Sequence, residues 1–570
     1  MLYLHLCEIY EKLEKTSKRL DKTEILSEFL NKLKKEKNKE IIYLLQGKVF
    51  PDYDSRELGI STQLVIKALE KSTGIRNEDI VKKWKKSGDL GDVAFDITKN
   101  KKQSTLFSKK LDAEKVFDNI KKLVEFTGKG TVDKKIGLIS ELLTSSSGIE
   151  AKYIIRTLLQ DLRIGVGAGV MRDSIVWNCF GKENKEATTQ VQEAYDKTTD
   201  FAKVFELACQ GIKKLEHVEL TPGKPVKVML ALKVKNIAEG FETAGKPCAI
   251  EFKYDGFRML INKDEKGEIK IFTRRLENVT NQFPEVKDYV KKLVNAKTFI
   301  LDSEAVGYDK NKKYMPFQDI SQRIKRKYDI DKLAKELPIE INVFDILYYN
   351  GKNLLNSPFK ERRKIIEKII KQEKYKLKLS EQLITDNEEK TKKFFEKALA
   401  DGQEGVMMKN LEGIYKPGAR VGYMVKLKPS ASELDLVIVK AESGTGKRGG
   451  WLTSFTVACR DEDKLLEIGK FSTGLKEKES EGVSFIELTK LIKPLIKSEK
   501  GREVEVKPKI VITVTYQEIQ KSPSYSSGYA LRFPRFKALR EDMGIDDVAS
   551  LSEVEKDYAT QQSRKWEFKR

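Results

Sequence analysis

The sequence has 570 residues, of which 39% are hydrophobic and 34% are charged. A chain of this length exceeds what one hydrophobic core supports, so we predict about three or four domains. The net charge of +22 comes from basic residues spread over the whole length, which favours a polyanionic partner such as nucleic acid. A generally lysine-rich proteome would give the same charge, so the charge alone does not identify the partner.

The cysteines and histidines exclude several kinds of chemistry. The five cysteines are scattered without a Cys-x-x-Cys pair, and the two histidines have no partner at ligand spacing. We therefore predict no structural zinc site, no disulfide framework and a reducing cytoplasm. Carboxylates, lysines and arginines must carry any chemistry, which points to phosphate and oxygen-bound metals such as magnesium. No apolar run reaches the ~18 residues that span a membrane, and the N-terminus lacks a signal-peptide pattern.

Residues 1 to about 215 have the hydrophobic spacing of helices. Basic side chains, including Arg156 and Arg163, lie beside one of the apolar stripes. The glycines Gly165 and Gly167 follow a predicted helix and not a strand, so we predict a helix-turn-helix junction and not a dinucleotide-binding loop. Backbone amides at this junction could approach a phosphodiester, and plain turn geometry is an equally good interpretation.

A polar loop between helical segments holds Gln103, Leu106 and Phe107. An exposed Leu-Phe pair is unusual in such a loop. One interpretation is a docking peptide for a hydrophobic pocket on a partner, and the other is a loop anchored by its own apolar residues.

The stretch from 249 to 258 reads as a strand, a tight Asp-Gly turn and a second strand, so we predict a β-hairpin. It places Lys253 between Glu251 and Asp255, with Arg258 close behind. A lysine held among fixed charges in a partly closed site can lose its proton near neutral pH and act as a nucleophile. A surface hairpin in a lysine-rich protein is the simpler interpretation of these residues taken alone.

Further predicted strands carry charged or aromatic residues at positions suited to catalysis. They are 269–273 before Arg274, 298–302 before Glu304, 339–348 with Phe344, 404–409 beginning at Glu404, and 423–428 with Lys426 and Lys428. Together these groups suit nucleotidyl transfer. In that reaction an attacking nitrogen meets an α-phosphate, and lysines, arginines and a carboxylate-held metal offset the developing charge.

From about residue 430 the sequence predicts a third domain. Its strand candidates are 434–441, 454–459, 465–470, 503–507 and 510–516, with a helix at 485–493. Five strands and one helix are typical of a small OB-type barrel. We therefore predict a multidomain α+β protein with an all-helical domain at 1–215, an α+β nucleotidyltransferase domain at 216–428, and an OB-fold β-barrel domain with a C-terminal helical tail at 429–570.

The order and spacing of these motifs resemble the ATP-dependent DNA ligases of the archaeal and eukaryotic replicative type over nearly the whole chain. The resemblance implies a monomeric enzyme that seals nicks in double-stranded DNA during replication, repair and recombination, in the cytoplasm at the prokaryotic nucleoid. It implies ATP and magnesium, or manganese, as cofactors, and a lysine-AMP and a DNA-adenylate as intermediates. The position of the 103–107 loop implies a sliding clamp as a partner.

The same resemblance implies a role for each matching residue. Lys253 would take AMP as a phosphoramidate, Glu251 would accept a hydrogen bond from the adenine amino group, and Phe344 would stack on the base. The resemblance further implies nucleotide contacts for Arg258, Arg274, Glu304, Arg420, Lys426 and Lys428, metal ligation for Glu304 and Glu404, DNA contacts for Arg156, Arg163, Gly165 and Gly167, a last motif that orients pyrophosphate with Arg540 and Asp542, and clamp binding for Gln103, Leu106 and Phe107.

Two positions depart from the family pattern. Met543 replaces the lysine of the last motif, which bears on pyrophosphate handling. Met424 replaces a tryptophan two residues before Lys426, which bears on packing against the base. A methionine can still fill an apolar gap over a base.

Four alternative functions fit part of the sequence. An RNA ligase or a capping guanylyltransferase would use the same chemistry, but the long helical region and Glu251 argue against both. An NAD-dependent ligase would need zinc cysteines, which the chain lacks. A non-catalytic nick-binding scaffold belongs to a different class, and the presence of Lys253, Glu404 and Lys428 argues against it.

Overall fold

A computed structural model of the protein describes residues 1–567 except 55, 100–109, 127, 129, 316–319, 321–322, 325–327, 430–431, 445–447, 449, 463, 478–481 and 542. Gln103, Leu106, Phe107 and Asp542 lie outside the described residues. The chain forms two compact units, each discontinuous in sequence. The first contains Met1–Ala231, Gly256–Ser380 and Leu411–Val421, and the second contains Leu232–Asp255, Glu381–Asn410 and Gly422–Arg570. None of the described helices has the length and apolar character needed to cross a membrane.

The N-terminal part of the first unit is helical, as predicted. Its α-helices are α1 Tyr3–Lys15, α2 Arg19–Leu33, α3 Thr62–Thr73, α4 Asn77–Ser87, α5 Leu90–Thr98, α6 Ala113–Lys122, α7 Thr131–Ser145, α8 Gly148–Leu158, α9 Ala168–Phe180, α10 Lys185–Thr198, α11 Phe201–Gln210 and α12 Ile212–Glu216, with short 3-10 helices at Lys39–Gln46 and Leu123–Glu125. Polar side chains begin many of them: Asn184 caps α10, Asp200 caps α11, and Ser147 forms a capping box with Glu150 at α8. The apolar faces of these helices share one hydrophobic core.

Strands and helices then alternate up to residue 427. They are β1 Leu230–Val234, α13 Ile237–Ala244, β2 Cys248–Lys253, β3 Phe257–Lys263, β4 Ile269–Thr273, α14 Pro284–Leu293, β5 Phe299–Tyr308, β6 Tyr314–Met315, α15 Ile330–Glu336, β7 Ile339–Tyr349, β8 Lys352–Asn353, α16 Phe359–Ile369, β9 Leu377–Leu379, β10 Gln382–Thr385, α17 Glu388–Ala400, β11 Gly405–Asn410 and β12 Arg420–Leu427. One sheet has the order β4-β3-β5-β7-β8, with β6 beside β5 and β9 beside β7, and a second sheet has the order β1-β12-β11-β2-β10.

The predicted hairpin at 249–258 is wrong. Its two strands do not pair with each other, because β2 has β10 and β11 as neighbours while β3 has β4 and β5. The Asp-Gly turn therefore passes the chain from one sheet to another. Gly256 is required at this point, since a Cβ atom there would lie 2.2 Å from the carbonyl oxygen of Ala305.

The C-terminal part of the second unit is rich in strands. Its elements are β13 Ser432–Ser443, β14 Leu452–Asp461, β15 Lys464–Phe471, α18 Phe485–Ile492, β16 Ile496–Lys500, β17 Glu503–Val506, β18 Val511–Tyr516, β19 Glu518–Lys521, β20 Tyr529–Arg532, β21 Arg535–Leu539 and α19 Leu551–Glu567, with 3-10 turns at Lys493–Leu495 and Ile545–Asp547. All five predicted strands and the predicted helix are present. The strands β16 and β19 to β21 are additional.

The long strand β13 determines the shape of this sheet. Its first half pairs with β18 and its second half with β17, while β14 lies along its other edge. A register shift between Ile438 and Lys440 marks the point where the partner changes, and such bulges bend a strand. The described pairings leave the ends of the sheet unjoined, so the predicted OB-type barrel is confirmed only as a curled half-barrel.

Candidate active site

Lys253 lies at the end of β2 and forms an ion pair with Glu404. Lys253 Nζ is 2.7 Å from Glu404 Oε2, and Lys428 Nζ contacts the same oxygen. The backbone amide of Glu404 also donates to the carbonyl oxygen of Lys253 at 2.9 Å. The sequence therefore brings one carboxylate and two ammonium groups together from three separate strands or strand ends.

Gly405 makes this approach possible. Its φ of +139° lies in a region that favours glycine, and a Cβ atom there would lie 2.3 Å from the carbonyl oxygen of Leu427. A side chain at residue 405 would therefore push β11 away from the end of β12. The close packing of these two strands holds Glu404 beside Lys428.

The electrostatics of this cluster favour a charged carboxylate. Burial raises the pKa of Glu404, but Lys253 and Lys428 outweigh this effect and hold the pKa at about 2. Burial lowers the pKa of Lys428, although Glu404 opposes the shift. Glu404 is therefore an anion at physiological pH and a weak proton acceptor.

Glu251 is almost fully buried, with 1% of the residue exposed, and its two carboxylate oxygens have separate donors. Lys409 Nζ donates to Oε2 at 2.6 Å, and Gln382 Nε2 donates to Oε1 at 2.8 Å. A lysine and an amide therefore fix the position of the Glu251 carboxylate. Lys409 and Gln382 were not among the predicted site residues. A lysine in a buried strand next to β2 was the available signal, because a buried ammonium needs a counter-charge.

Asp255, in the turn after β2, is held by the C-terminal part of the second unit. Its two carboxylate oxygens lie 3.4 Å from the guanidinium nitrogens of Arg532, and its backbone amide donates to Gln403 at 3.0 Å. Arg532 also contacts Glu518 at 3.0 Å. Burial raises the pKa of Asp255, and Arg532 opposes this shift. Nothing in the local sequence around Arg532 marks this long-range contact.

In the first unit, Arg258 is fixed by a buried network. Its Nε donates to Asp302 at 2.8 Å and its Nη1 donates to the carbonyl oxygen of Met229 at 2.9 Å. The hydroxyl of Tyr415 donates to Asp302 at 2.7 Å. The Arg258 guanidinium carbon lies 5.4 Å from the ring centre of Phe344, which is half-buried. Arg258 and Phe344, predicted as nucleotide contacts, are thus neighbours, and Asp302 and Tyr415 orient the arginine.

The remaining predicted nucleotide residues differ in exposure. Arg274 follows β4 and Arg420 begins β12, and both are exposed. Glu304 in β5 and Lys426 in β12 are half-buried.

The two methionines that depart from the family pattern both pack inside the second unit. Met424 is buried in β12, where it lies opposite Lys409 of β11. Met543 packs against an apolar cluster that includes Val437 and Val511. Arg540 forms an ion pair with Asp435 at 3.0 Å. Met424 is therefore buried and Met543 lies against apolar side chains, both in the second unit.

The predicted DNA-binding residues divide into a buried arginine and an exposed loop. Arg156 is 3% exposed and donates to Asp89 at 2.7 Å and to Glu14 at 3.0 Å. Arg163 is 44% exposed, with a φ of +59°, and precedes the exposed glycines Gly165 and Gly167. The geometry assigns Arg156 to holding α1, α5 and α8 together, and leaves Arg163 and the glycines accessible.

We expect Arg156→Met and Arg163→Met to have different effects. Loss of Arg156 leaves the buried Asp89 and the adjacent Glu14 without their main counter-charge, so the free energy of unfolding should fall by about 3–5 kcal/mol. Arg163 Nη1 also lies 3.1 Å from Asp89, but its side chain is 44% exposed and Arg156 keeps Asp89 paired, so loss of Arg163 should cost only about 1 kcal/mol. Urea denaturation of the full chain, followed by its helical circular dichroism, measures both. An unchanged midpoint for Arg156→Met would contradict this assignment.

Comparison with known proteins gives the chain a family. Residues 2–176 match the model of the DNA ligase N terminus, 228–428 that of the ATP dependent DNA ligase domain, and 448–543 that of the ATP dependent DNA ligase C terminal region. A DNA ligase of Nanoarchaeum equitans is 45% identical over 568 residues, covering 98% of this chain and 99% of its own length. A DNA ligase of Thermococcus onnurineus is 39% identical over 565 residues, covering 99% and 98%.

The solved structure named Pmar-Lig_Pre. aligns with a TM-score of 0.54 and 18% identity, covering 94% of this chain and 99% of its own, and supports the fold alone. The lysine cluster, the three family models and the full-length relatives all indicate the same family. The chain belongs to the ATP-dependent DNA ligase family.

Proposed function

We propose that this protein seals nicks in duplex DNA with ATP, and that Lys253 is its nucleophile. The observation that carries the proposal is the cluster of Lys253, Glu404 and Lys428 at the end of β2. It presents one primary amine, fixed by a charged carboxylate, beside a second ammonium group. This arrangement suits attack on a phosphate and stabilisation of the charge that develops there.

The proposed reaction has three steps. After its ammonium loses a proton to solvent, Lys253 Nζ bonds to the α-phosphorus of ATP, and pyrophosphate leaves. The AMP then passes to the 5′-phosphate of the nick, which frees the lysine. The 3′-hydroxyl attacks that phosphate, forms the phosphodiester and expels AMP. Lys428 offsets phosphate charge, because its ammonium is held next to the lysine by Glu404.

We further propose the other nucleotide roles that the family resemblance implies, and local contacts support two of them. Glu251 accepts from the adenine amino group, with Lys409 and Gln382 fixing its carboxylate. Phe344 stacks on the base, next to Arg258. The remaining nucleotide contacts are Arg274, Glu304, Arg420 and Lys426, while Arg540 and Asp542 orient pyrophosphate.

Magnesium fits the donor set. Among the described residues there is no group of three or more side chains that could hold a metal ion by themselves. Magnesium in nucleotide enzymes, however, uses one or two carboxylates with phosphates and water, and Glu404 is a buried, ionised carboxylate. Glu404 in the second unit and Glu304 in the first would each offer a carboxylate to such an ion, which would supply neutralisation of the phosphate charge.

We further propose that residues 1–215 bind nicked DNA, that 216–428 carry the adenylation chemistry and that 429–570 complete it. The net charge of +22 and the exposed loop with Arg163, Gly165 and Gly167 support DNA binding without base reading. The protein would act as a monomer at the nucleoid.

Labelling with α-labelled ATP tests the proposal. In magnesium, a denaturing gel should show label on the protein, and nicked duplex DNA should discharge it into a sealed strand. Intact duplex DNA and nicked RNA are the controls, and both should leave the label on the protein. A protein that never becomes labelled, while it still binds nicks, would favour the scaffold alternative.

The clamp hypothesis depends on Gln103, Leu106 and Phe107 and needs its own test. Replacing Leu106 and Phe107 by alanine should leave basal sealing unchanged and abolish stimulation by a sliding clamp, because these apolar side chains would fill the pocket of the partner. Sealing rates with and without the clamp measure this. Full stimulation of the double variant would move the docking site elsewhere.

A further inference from the structure

A buried lysine of α2 holds the exposed glycine turn that precedes α9. Lys22 is 8% exposed, and its Nζ donates to the carbonyl oxygen of Ile164. Gly165 has a φ of +64°, and a Cβ atom there would lie 2.6 Å from Lys22 Nζ. Glycine at residue 165 therefore allows the turn to close over the ammonium group. The helices α2 and α9 also pack together, so the turn rests on the start of α2.

The contact with Lys22 separates the carbonyl of the turn from its exposed part. The Ile164 carbonyl is held against α2, while Gly165 and Gly167 are exposed. Gly167 is the N-cap residue of α9 and has no side chain that could cap the first amides of the helix. Backbone amides in such a place can donate to a phosphate oxygen, as predicted for this turn.

Arg19, which lies three residues before Lys22 in α2, provides a positive charge next to the turn. Its side chain is 57% exposed, and a Cβ atom at Gly169 would lie 3.2 Å from its Nη2. Arg19 pairs with Asp173 of α9, and Arg172 Nη2 lies 2.6 Å from the same carboxylate. Two guanidinium groups share one acid, so this pair of helix starts keeps a net positive charge that suits a phosphate.

We propose that the start of α2 completes a DNA contact at the glycine turn, with Lys22 as a positioning residue and Arg19 as a contact to phosphate. The inference rests on the proposed function, because it requires that the turn meets DNA. Lys22 keeps the Ile164 carbonyl, a partial negative charge, turned towards α2. Arg19 donates to a phosphate oxygen beside the turn. Neither contact reads a base.

Arg19→Met tests the phosphate contact. Binding of the full-length protein to nicked duplex DNA should weaken by about five- to tenfold, and the slope of log K against log salt should fall in magnitude by about 0.9, because one phosphate contact is lost. Fluorescence anisotropy over a range of salt concentrations measures both. Lys32→Met, which removes an exposed charge elsewhere on α2, is the control and should change the affinity by less than about twofold. Wild-type affinity and slope in Arg19→Met would overturn the contact.

Lys22→Met tests the positioning role. Nick binding should weaken by about fivefold, but the salt slope should stay nearly unchanged, because the buried ammonium does not itself neutralise a phosphate. In the wild type, DNA should slow amide hydrogen exchange in the peptide that contains 164–169, and this protection should be lost in Lys22→Met. Lys39→Met is the matched control, since Lys39 Nζ also donates to main-chain carbonyl oxygens, of Leu33 at 3.0 Å and Lys34 at 2.6 Å, at the other end of α2. It should keep both the affinity and the protection.

The remaining outcomes are also decisive. Wild-type affinity and protection in Lys22→Met, or loss of protection in Lys39→Met as well, would overturn the positioning role. If Lys22→Met does not fold, the exposed Arg19 still decides whether the start of α2 meets DNA. A wild-type protein that binds no nicked DNA would overturn the proposed function together with this inference. A wild-type protein that binds nicks as well as both variants do would overturn this inference alone.

Discussion

Lys253→Ala should abolish transfer of AMP to the protein, so that α-labelled ATP leaves no label on a denaturing gel. The side chain supplies the only atom that would bond to phosphorus, and no neighbouring group replaces it. Lys428, the other amine on Glu404, lies at the end of a different strand and is held by its own ion pair. Loss of a covalent nucleophile should lower the rate of this step by at least ~10⁴-fold, to close to the background rate.

Lys253→Arg is the matched control. A guanidinium keeps the positive charge opposite Glu404 but stays protonated at any accessible pH, so it cannot attack. This variant should also lack the label, and both variants should bind nicked DNA with nearly unchanged affinity and seal a nick that is already adenylated. Label on Lys253→Ala would show that another residue is the nucleophile, and loss of nick binding in Lys253→Arg would show that Lys253 acts in binding.

Glu404→Gln should slow self-adenylation by about 10²–10³-fold. The amide keeps the size of the side chain but removes the charge that compensates Lys253 and Lys428. The two ammonium groups then repel each other in a partly buried place, and the lysine loses the partner that aims it. The measurement is the single-turnover rate of labelling at saturating ATP.

A surface pair in the same unit provides the control for Glu404. Glu388 lies 3.6 Å from Lys246, and its side chain is 53% exposed, so Glu388→Gln should leave the rate of labelling within about twofold.

Lys428→Met should slow labelling as well. Combined with Glu404→Gln, it should lower the rate by less than the product of the two single effects, because the two residues act through one ion pair. A normal rate in Glu404→Gln would contradict the role assigned to the cluster.

Sequence patterns predicted the elements of the fold better than their partners. The helices of the N-terminal region and the strands near Lys253 follow from hydrophobic spacing, which is a local property. The hairpin prediction failed because an Asp-Gly pair followed by an apolar strand predicts a turn. It does not predict which sheet each of the two flanking strands joins. Both edges of β2 are occupied by strands more than 120 residues later in the chain, beginning at Gln382 and Gly405.

In the candidate site, too, the sequence predicted which residues take part but not which side chains they contact. Lys253, Glu251 and Glu404 stand out in sequence because charged residues interrupt apolar strands. Their neighbours Lys409 and Arg532 do not, since a lysine or arginine is common in a chain with 109 of them. Only the fold decides which of these basic residues is buried against a carboxylate.

For Arg156, the sequence predicted a DNA contact and the structure shows a buried ion pair. In sequence it lies beside an apolar stripe with other basic residues, and the same pattern suits a DNA-facing helix. In the structure its guanidinium is enclosed by carboxylates from α1 and from the start of α5, which are distant in the chain. The sequence of a helix shows where its basic residues are, but not which face of the helix is buried against other helices.

The ion pair of Asp255 with Arg532 joins residues 277 positions apart in the second unit. If a ligand must displace this pair to bind, its apparent dissociation constant is the intrinsic one divided by the fraction of molecules in which the pair is broken. A ligand that leaves the pair intact meets no such penalty. For any ligand that must replace the bond of Arg532 to Asp255, the free energy of breaking this pair is therefore subtracted from its affinity.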